Sequence, residues 1–380
     1  MKKLIALLLA LTMVMALAAC GAKAEAPAAT QAPAAEAPAA EAPAAEAPAA
    51  AEKMYIPVMA KGFQHQFWQA VAKGSADAAA DLGVEIYFDG PASETEIAAQ
   101  VNMVKQEMSK NPVALALAAL DTSAVADILD DCAAKNIPVI GFDSGVPGDT
   151  SGAVKATACT NNEAAAAIAA EKFGENEELV AAMKAATPDA PIIIACLSQD
   201  AVSASVTGRT TGFVNKMVEV ASQYGTVAVT GHDKWATGDA AAASIQIEVA
   251  VSATTEAVDV QNSANALLAK SNLKAVFCSN EGTVTGFLSA VSDGEDLADG
   301  GKYEDLVVAG FDAGAAQKNA VRQGWFYGSV TQDPYQIGYQ AVALAVAAAN
   351  GEAVSDVDTG AQWYNAENID DEMIALLVYD

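Results

Sequence analysis

What this chain has least of is positive charge: 20 Lys and Arg stand against 48 Asp and Glu, a formal net charge of −28 over 380 residues. A field of that sign repels nucleic acid and disfavours anionic ligands wherever no local site overrides it. Histidine is nearly absent, with only His65 and His232, and neither sits in an HExxH or other metal-ligand spacing. The cysteines form no C-x-x-C pair. Cys132, Cys159, Cys196 and Cys278 fall in apolar helices or at strand ends and read as buried thiols, with a Cys196–Cys278 disulfide left open. There is no GxxxxGKS or GxxxxGKT loop and no nucleophile elbow, and the Gly-rich turns at 206–212 and 231–238 lack dinucleotide spacing. No catalytic residue, metal or cofactor is therefore expected. Aromatics make up 6% of a chain that is 53% apolar and dominated by Ala, so any cluster of rings stands out.

The N-terminus reads as an address rather than as fold. Met1-Lys2-Lys3 is a basic start, and residues 4–17 are an unbroken apolar run, shorter than the roughly 20 residues a membrane span needs. The run ends in Leu17-Ala18-Ala19-Cys20-Gly21, which resembles the lipobox of bacterial lipoproteins. That resemblance implies a signal peptide over 1–20 and a lipidated Cys20, held at the extracytoplasmic face of the cell membrane. Residues 21–53 follow, built on the repeat AEAPAAEAPAAEAPAA. With almost no β-branched and no aromatic residue this stretch cannot bury a core, and regular Pro stiffens it towards extended geometry. It reads as a tether.

From Tyr55 onward apolar runs alternate with long Ala-rich helical patterns. Strands are expected at 55–59, 84–88, 113–118, 138–142 and 153–158, and again at 192–197, 226–230, 275–278, 306–311 and 327–331. Helices are expected at 66–82, 94–109, 123–135, 161–173, 206–224, 238–269, 282–291 and 334–350. Continuous apolar strands separated by helices mean parallel sheets covered on both faces, a doubly wound α/β fold. In such sheets ligands bind beyond the carboxyl ends of the strands. Two of those ends repeat one another: IGFDSG (140–145) and AGFDAG (309–314), which suggests two similar lobes, each aiming an Asp at the other. For Asp312 the bland alternative is an N-cap of the following helix, a role worth about 1 kcal/mol. The turn after the first strand, MAKGFQHQFWQAV (59–71), carries a lysine, a histidine, amides and three rings, where a turn ordinarily wants Gly, Asn, Asp or Ser.

Taken in order, QHQFW, IPVIGFDSG, SVTGRTTGF, VFCSNEG, VVAGFDAG and GSVTQDPYQIG resemble the type I periplasmic binding proteins that feed ABC sugar importers, the ribose- and galactose-binding group. The resemblance covers Tyr55 to about Asn350. It implies two doubly wound lobes joined by a three-crossing hinge: 54–160 with 333–351 in one, and 161–332 with 352–380 in the other. It also implies a ligand sandwiched by aromatics and gripped by charged and amide groups. By position, Phe67 and Trp68 fall on the aromatic pair, His65 where an Asn often sits, and Lys61 near a strand-end polar contact. Asp143 and Asp312 match the two ligand aspartates, Asn280 the amide of the VF-x-x-N turn, and Gln332 the amide before the Asp-Pro crossover. Arg209 matches the Arg of an R-x-x-G-F pattern that can equally be structural, and Trp235 is a looser match to a second-lobe aromatic. The chain departs from ribose binders at Ser144 and Thr207, where they carry arginines, so the sugar stays open. The implied partners are a monosaccharide or sugar-like ligand and ABC permease subunits, with the protein itself a monomer. A receptor module presenting its ligand to a membrane sensor is the alternative that uses the same cleft.

Overall fold

Two sets of apolar runs become two separate sheets. The structure, a computed structural model, describes residues 53–379; the signal peptide, Cys20 and all but the end of the tether lie outside the described residues. The first lobe runs β1 (Tyr55–Met59), α1 (Phe67–Leu82), β2 (Glu85–Asp89), α2 (Ile97–Met108), β3 (Leu115–Leu117), α3 (Ala126–Ala134), β4 (Val139–Phe142) and β5 (Val154–Cys159). The second runs α4 (Asn162–Glu175), α5 (Glu177–Ala185), β6 (Ile192–Ser198), α6 (Ala204–Ala221), β7 (Val227–Thr230) and β8 (Ile245–Val251). It continues through α7 (Ala257–Leu268), β9 (Leu273–Cys278), α8 (Glu281–Ala290), β10 (Val307–Phe311), α9 (Ala315–Arg322) and β11 (Gly328–Gln332). The chain then supplies α10 (Pro334–Ala349) and β12 (Val357–Asp358) to the first lobe, and β13 (Ala361–Tyr364) and α11 (Glu372–Ala375) to the second.

The first sheet has the order β12-β5-β4-β3-β1-β2 and the second β13-β11-β10-β9-β6-β8-β7. All pairs are parallel except β11 with β13. Apolar clusters cover both faces of each sheet, as the near-continuous hydrophobicity of the strands requires. The doubly wound α/β class expected from alternation is the one observed.

Two expectations are corrected. Residues 238–269 do not form one helix. Their first half contains β8, in which Ile245, Ile247 and Val249 are buried while Gln246 and Glu248 are only half so. That period of two was hidden in Ala-rich surroundings that favour helix. The third hinge crossing also falls later than Gly351: β12 still pairs with β5 through Val357↔Ala158 and Asp358↔Cys159, and the chain changes lobe at Thr359–Gly360. There Thr359 N–H donates to Cys159 O at 3.0 Å and Thr160 Oγ1 to Gly360 O at 3.2 Å. The hinge strands are thus tied side by side. The Cys196–Cys278 disulfide is absent: both are free and buried. They sit on neighbouring strands but face opposite sides of the sheet, one in each apolar cluster.

Close packing of α1 on α10 depends on small residues. A Cβ at Gly74 would lie 2.0 Å from Tyr335 O, and one at Gly338 would lie 2.0 Å from Val71 O. Two backbones that approach this closely leave no room for a methyl group, and interiors relax only partly around an inserted one. Gly338→Ala is expected to destabilise the protein by about 1–3 kcal/mol, read as a lower urea midpoint with unchanged slope. An unchanged midpoint would show that the helices can part without cost.

Candidate functional site

The polar residues beyond the strand ends converge where the lobes meet. On the first lobe, Lys61 follows β1 and is buried. Its Nζ lies 3.0 Å from Asp143 Oδ2 and donates to Ser205 Oγ of the second lobe at 3.1 Å. Burial alone would lower the Lys61 pKa, but the charges of Asp143, Glu94 and Asp200 outweigh it and hold the group above its ordinary value. The ammonium lies 5.8 Å from the centre of the Trp68 ring, a cation–π distance. Trp68 is fully buried, edge-on to Phe67 at 5.0 Å and to Phe142 at 6.4 Å. Lys61, paired with Asp143, therefore sits against the ring of Trp68, which with Phe67 belongs to the apolar core of the first lobe.

The floor from the second lobe centres on Asp312. Gln332 Nε2 donates to its Oδ1 at 2.6 Å, while Glu281 N–H donates to Oδ2 at 2.9 Å and Arg209 Nη1 approaches the same oxygen at 3.4 Å. The guanidinium also donates to Asn162 Oδ1 at 2.8 Å and to Ser279 O at 3.2 Å, and lies 3.9 Å over the Phe311 ring. Arg209 braces Asp312. The following helix α9 begins after Gly314 without a side-chain cap, so Asp312 does not serve as the N-cap that its spacing allowed. Both aspartates of the Gly-Phe-Asp turns have positive φ, +53° at Asp143 and +78° at Asp312. That left-handed conformation is uncommon outside glycine and best tolerated by Asn and Asp.

Sequence reasoning missed the groups that join the lobes. Glu94, in the loop after β2, accepts from Trp68 Nε1 at 3.0 Å and from Gln199 Nε2 of the second lobe at 2.8 Å, with His65 Nε2 3.9 Å away. Gln199 in turn accepts from Asn280 Nδ2 at 2.6 Å. Asn280 Oδ1 is engaged elsewhere, capping α8 in a box with Thr283, so its amide is half structural. Ser144, which stands where ribose binders carry an arginine, is 3.0 Å from Ser205 Oγ. Glu94, Gln199 and Ser205 carry no motif; their one signal is position, just past the carboxyl end of a strand or at the start of the following helix. Trp235 lies apart from this cluster: its indole donates to Thr211 at 2.9 Å and its ring belongs to the core against α4 and α6.

Two cavities flank the junction. One of about 230 Å³ is lined by Lys61, Glu94, Leu120, Asp200, Ser203 and Thr255, and one of about 260 Å³ by Gln64, His65, Ser93, Glu256, Glu281 and Thr285. Both draw their walls from both lobes.

Two mainly parallel-sheet lobes that meet at a polar junction beyond their strand ends define the fold of a periplasmic binding protein. The chain belongs to the family of the periplasmic binding protein domain, whose profile matches residues 56–353. It is 25% identical over 321 residues to the D-allose-binding periplasmic protein of Escherichia coli (strain K12), covering 82% of this chain and 90% of that one. Among solved structures, an ABC transporter, LacI family transcriptional regulator from Brachyspira murdochii is 42% identical with a TM-score of 0.72, covering 86% of this chain and 99% of the other. An ABC transporter solute-binding protein from Agrobacterium vitis with bound D-fucose is 27% identical with a TM-score of 0.70, covering 86% and 100%. A carbohydrate transporter solute-binding protein from Agrobacterium radiobacter in complex with D-arabinose is 27% identical with a TM-score of 0.68, covering 87% and 99%. The relatives from Escherichia coli and the two Agrobacterium species are solute-binding proteins, and the chain is a binding protein rather than an enzyme.

Glu94 gives the junction a pH dependence. Burial pushes its carboxyl up, but Lys61, His65 and the bonds from Trp68 and Gln199 outweigh that and hold it below its ordinary 4.5. A carboxyl whose folded value is depressed contributes stability that is present above the unfolded value and lost as pH falls through the folded one. The stability difference between the natural protein and Glu94→Gln is therefore expected at pH 7 and should shrink as pH falls below about 4, measured by urea unfolding across pH. A difference of equal size at pH 7 and pH 3 would remove the charge from this account.

Proposed function

We propose that this protein captures a monosaccharide between its lobes outside the cytoplasmic membrane, anchored through a lipidated Cys20, and passes it to an ABC importer. The observation that carries this reading is the convergence of strand-end charges from both lobes, Asp143 with Lys61 beside the buried rings Phe67 and Trp68 on one and Asp312 with Arg209 and Gln332 on the other. A sugar ring has C–H faces that bury well against aromatic rings, and hydroxyls that need donors and acceptors together. Carboxylates accept from hydroxyls in charge-assisted bonds, and amides do both. His65 and Asn280 add further edge contacts. The allose, fucose and arabinose named for the relatives are the same kind of molecule.

Groups from two lobes grip one small ring only when the lobes are together, so ligand shifts the population towards the closed form. The family places the protein outside the cytoplasm, and the lipobox-like LAAC of residues 17–20 supports an anchor with the 21–53 repeat as its tether.

The test is titration calorimetry with D-allose, D-fucose and D-arabinose, backed by thermal shift, since a ligand bound by the native state raises its apparent stability. Asp143→Asn and Asp312→Asn keep size and the tolerance for positive φ while removing charge. Each is expected to weaken the best-bound sugar by about 10- to 150-fold. Near-natural affinity in both variants would sink the two-aspartate site, and no response to any monosaccharide would sink the ligand class.

Cys20→Ala is expected to move the protein from the membrane fraction to the soluble one with its sugar affinity unchanged. Continued membrane association would show that the anchor lies elsewhere.

A further inference from the structure

Four of the described helices cap themselves: Asn161, Asn176, Asn280 and Asp333 accept from the first turns of α4, α5, α8 and α10. Helices α1 and α9 do not, and neither has a side-chain cap of its own. Their free N–H groups are met from across the cleft. Gln66 N–H donates to Glu281 Oε1 at 3.1 Å and Phe67 N–H to Glu281 Oε2 at 3.3 Å, so a carboxylate of the second lobe straddles the start of α1. In return, Ala315 N–H at the start of α9 donates to the Oε1 of Gln66 at 2.8 Å, a side chain of the first lobe. We propose that Glu281 and Gln66 are positioning residues that set ligand affinity by completing, each from its own lobe, a helix start in the other.

The inference rests on the closing-lobe reading above. The first N–H groups of a helix must find acceptors, and an anion there is favoured by the helix dipole. These bonds exist only while the lobes touch, so they weigh on the closed side of the equilibrium alone. Two glycines make the approach possible. A Cβ at Gly314 would lie 2.7 Å from Glu281 Oε1 and 3.2 Å from Gln66 Oε1, and one at Gly282 would lie 3.0 Å from His65 Cε1. Burial raises the Glu281 carboxyl above its ordinary range and Asp312 adds to that, while His65 and the two α1 amides pull it back. The amides therefore offset part of the burial that closure imposes. The same contact fixes the entry of α1, whose first two residues are Phe67 and Trp68.

The test uses Glu281→Ala and Gln66→Ala in the full chain, with D-allose, D-fucose and D-arabinose as probes and amide hydrogen exchange as second readout. Each variant is expected to weaken binding about tenfold, by the same factor for every sugar that binds. Exchange should rise at Gln66 and Phe67 in the first variant and at Ala315 in the second, with the central strands unaltered. A loss that differs from sugar to sugar, with exchange unchanged, would mean direct ligand contact and overturn the proposal. If no sugar binds the natural protein, the ligand reading fails, and exchange in the free protein decides the capping alone. Should Glu281→Ala not fold, Gln66→Ala, at a half-buried loop position, carries the test; unchanged exchange at Ala315 overturns it.

Discussion

Lys61 keeps a positive charge where almost no water reaches, and the rest of the cleft is arranged around that fact. A buried charge is tolerable only when paired and hydrogen-bonded. Asp143 supplies the pair from the end of β4, and Ser205 supplies a hydrogen bond from the start of α6 in the other lobe. Glu94 and Asp200 add field from the ends of β2 and β6. Since each lobe supplies two of these four partners, the ammonium is fully served only when the lobes meet. Truncating a single partner leaves the others over- or under-compensated, so the cluster behaves as a unit and not as a sum of contacts.

The distribution of acids follows from the same constraint. Carboxylates outnumber cations at the junction, and three of them, Glu94, Asp200 and Glu281, differ by their partners. Glu94, with Lys61, His65, Trp68 and Gln199 around it, is held below its ordinary value in spite of burial. Asp200 and Glu281 have less to offset burial and are held above theirs. A chain with net charge −28 thus places Lys61 and Arg209, two of its few cations, where the acids are buried. That placement makes the cleft locally unlike the surface, and suits it to a neutral, hydroxyl-rich ligand better than to an anion.

Much of this was legible in the sequence because it rests on local rules. Parallel strands buried on both faces announce themselves as unbroken apolar runs, and the repeated Gly-Phe-Asp turns announce two lobes. The Asp143 and Asp312 positions stood out because their turn is repeated, and the ring pair Phe67–Trp68 because rings are not what turns ordinarily contain. What escaped had no local signature. The alternation of β8 was submerged in alanine, and the short β12, which delays the last crossing to Thr359–Gly360, pairs with a strand some two hundred residues earlier. Glu94 and Glu281 lie at the edges of the expected helices 94–109 and 282–291, where an acid is ordinary. Only the packing of one lobe on the other gives them partners 105 and 214 residues away.

Residues 61–68 concentrate the contacts between the lobes in one short stretch. Within eight positions the chain places a buried ammonium, a histidine beside Glu94, the amide that meets α9, and the buried rings Phe67 and Trp68. Lys61 reaches Ser205, the Gln66 side chain reaches Ala315, and the Gln66 and Phe67 backbone amides reach Glu281. The segment is anchored at its back by Trp68, whose indole is tied to Glu94 and hence to Gln199. The same few residues that join the rings to the rest of the first lobe hold the second lobe in place. Cleft geometry and lobe position are two readings of one set of hydrogen bonds, and a change in either is bound to appear in the other.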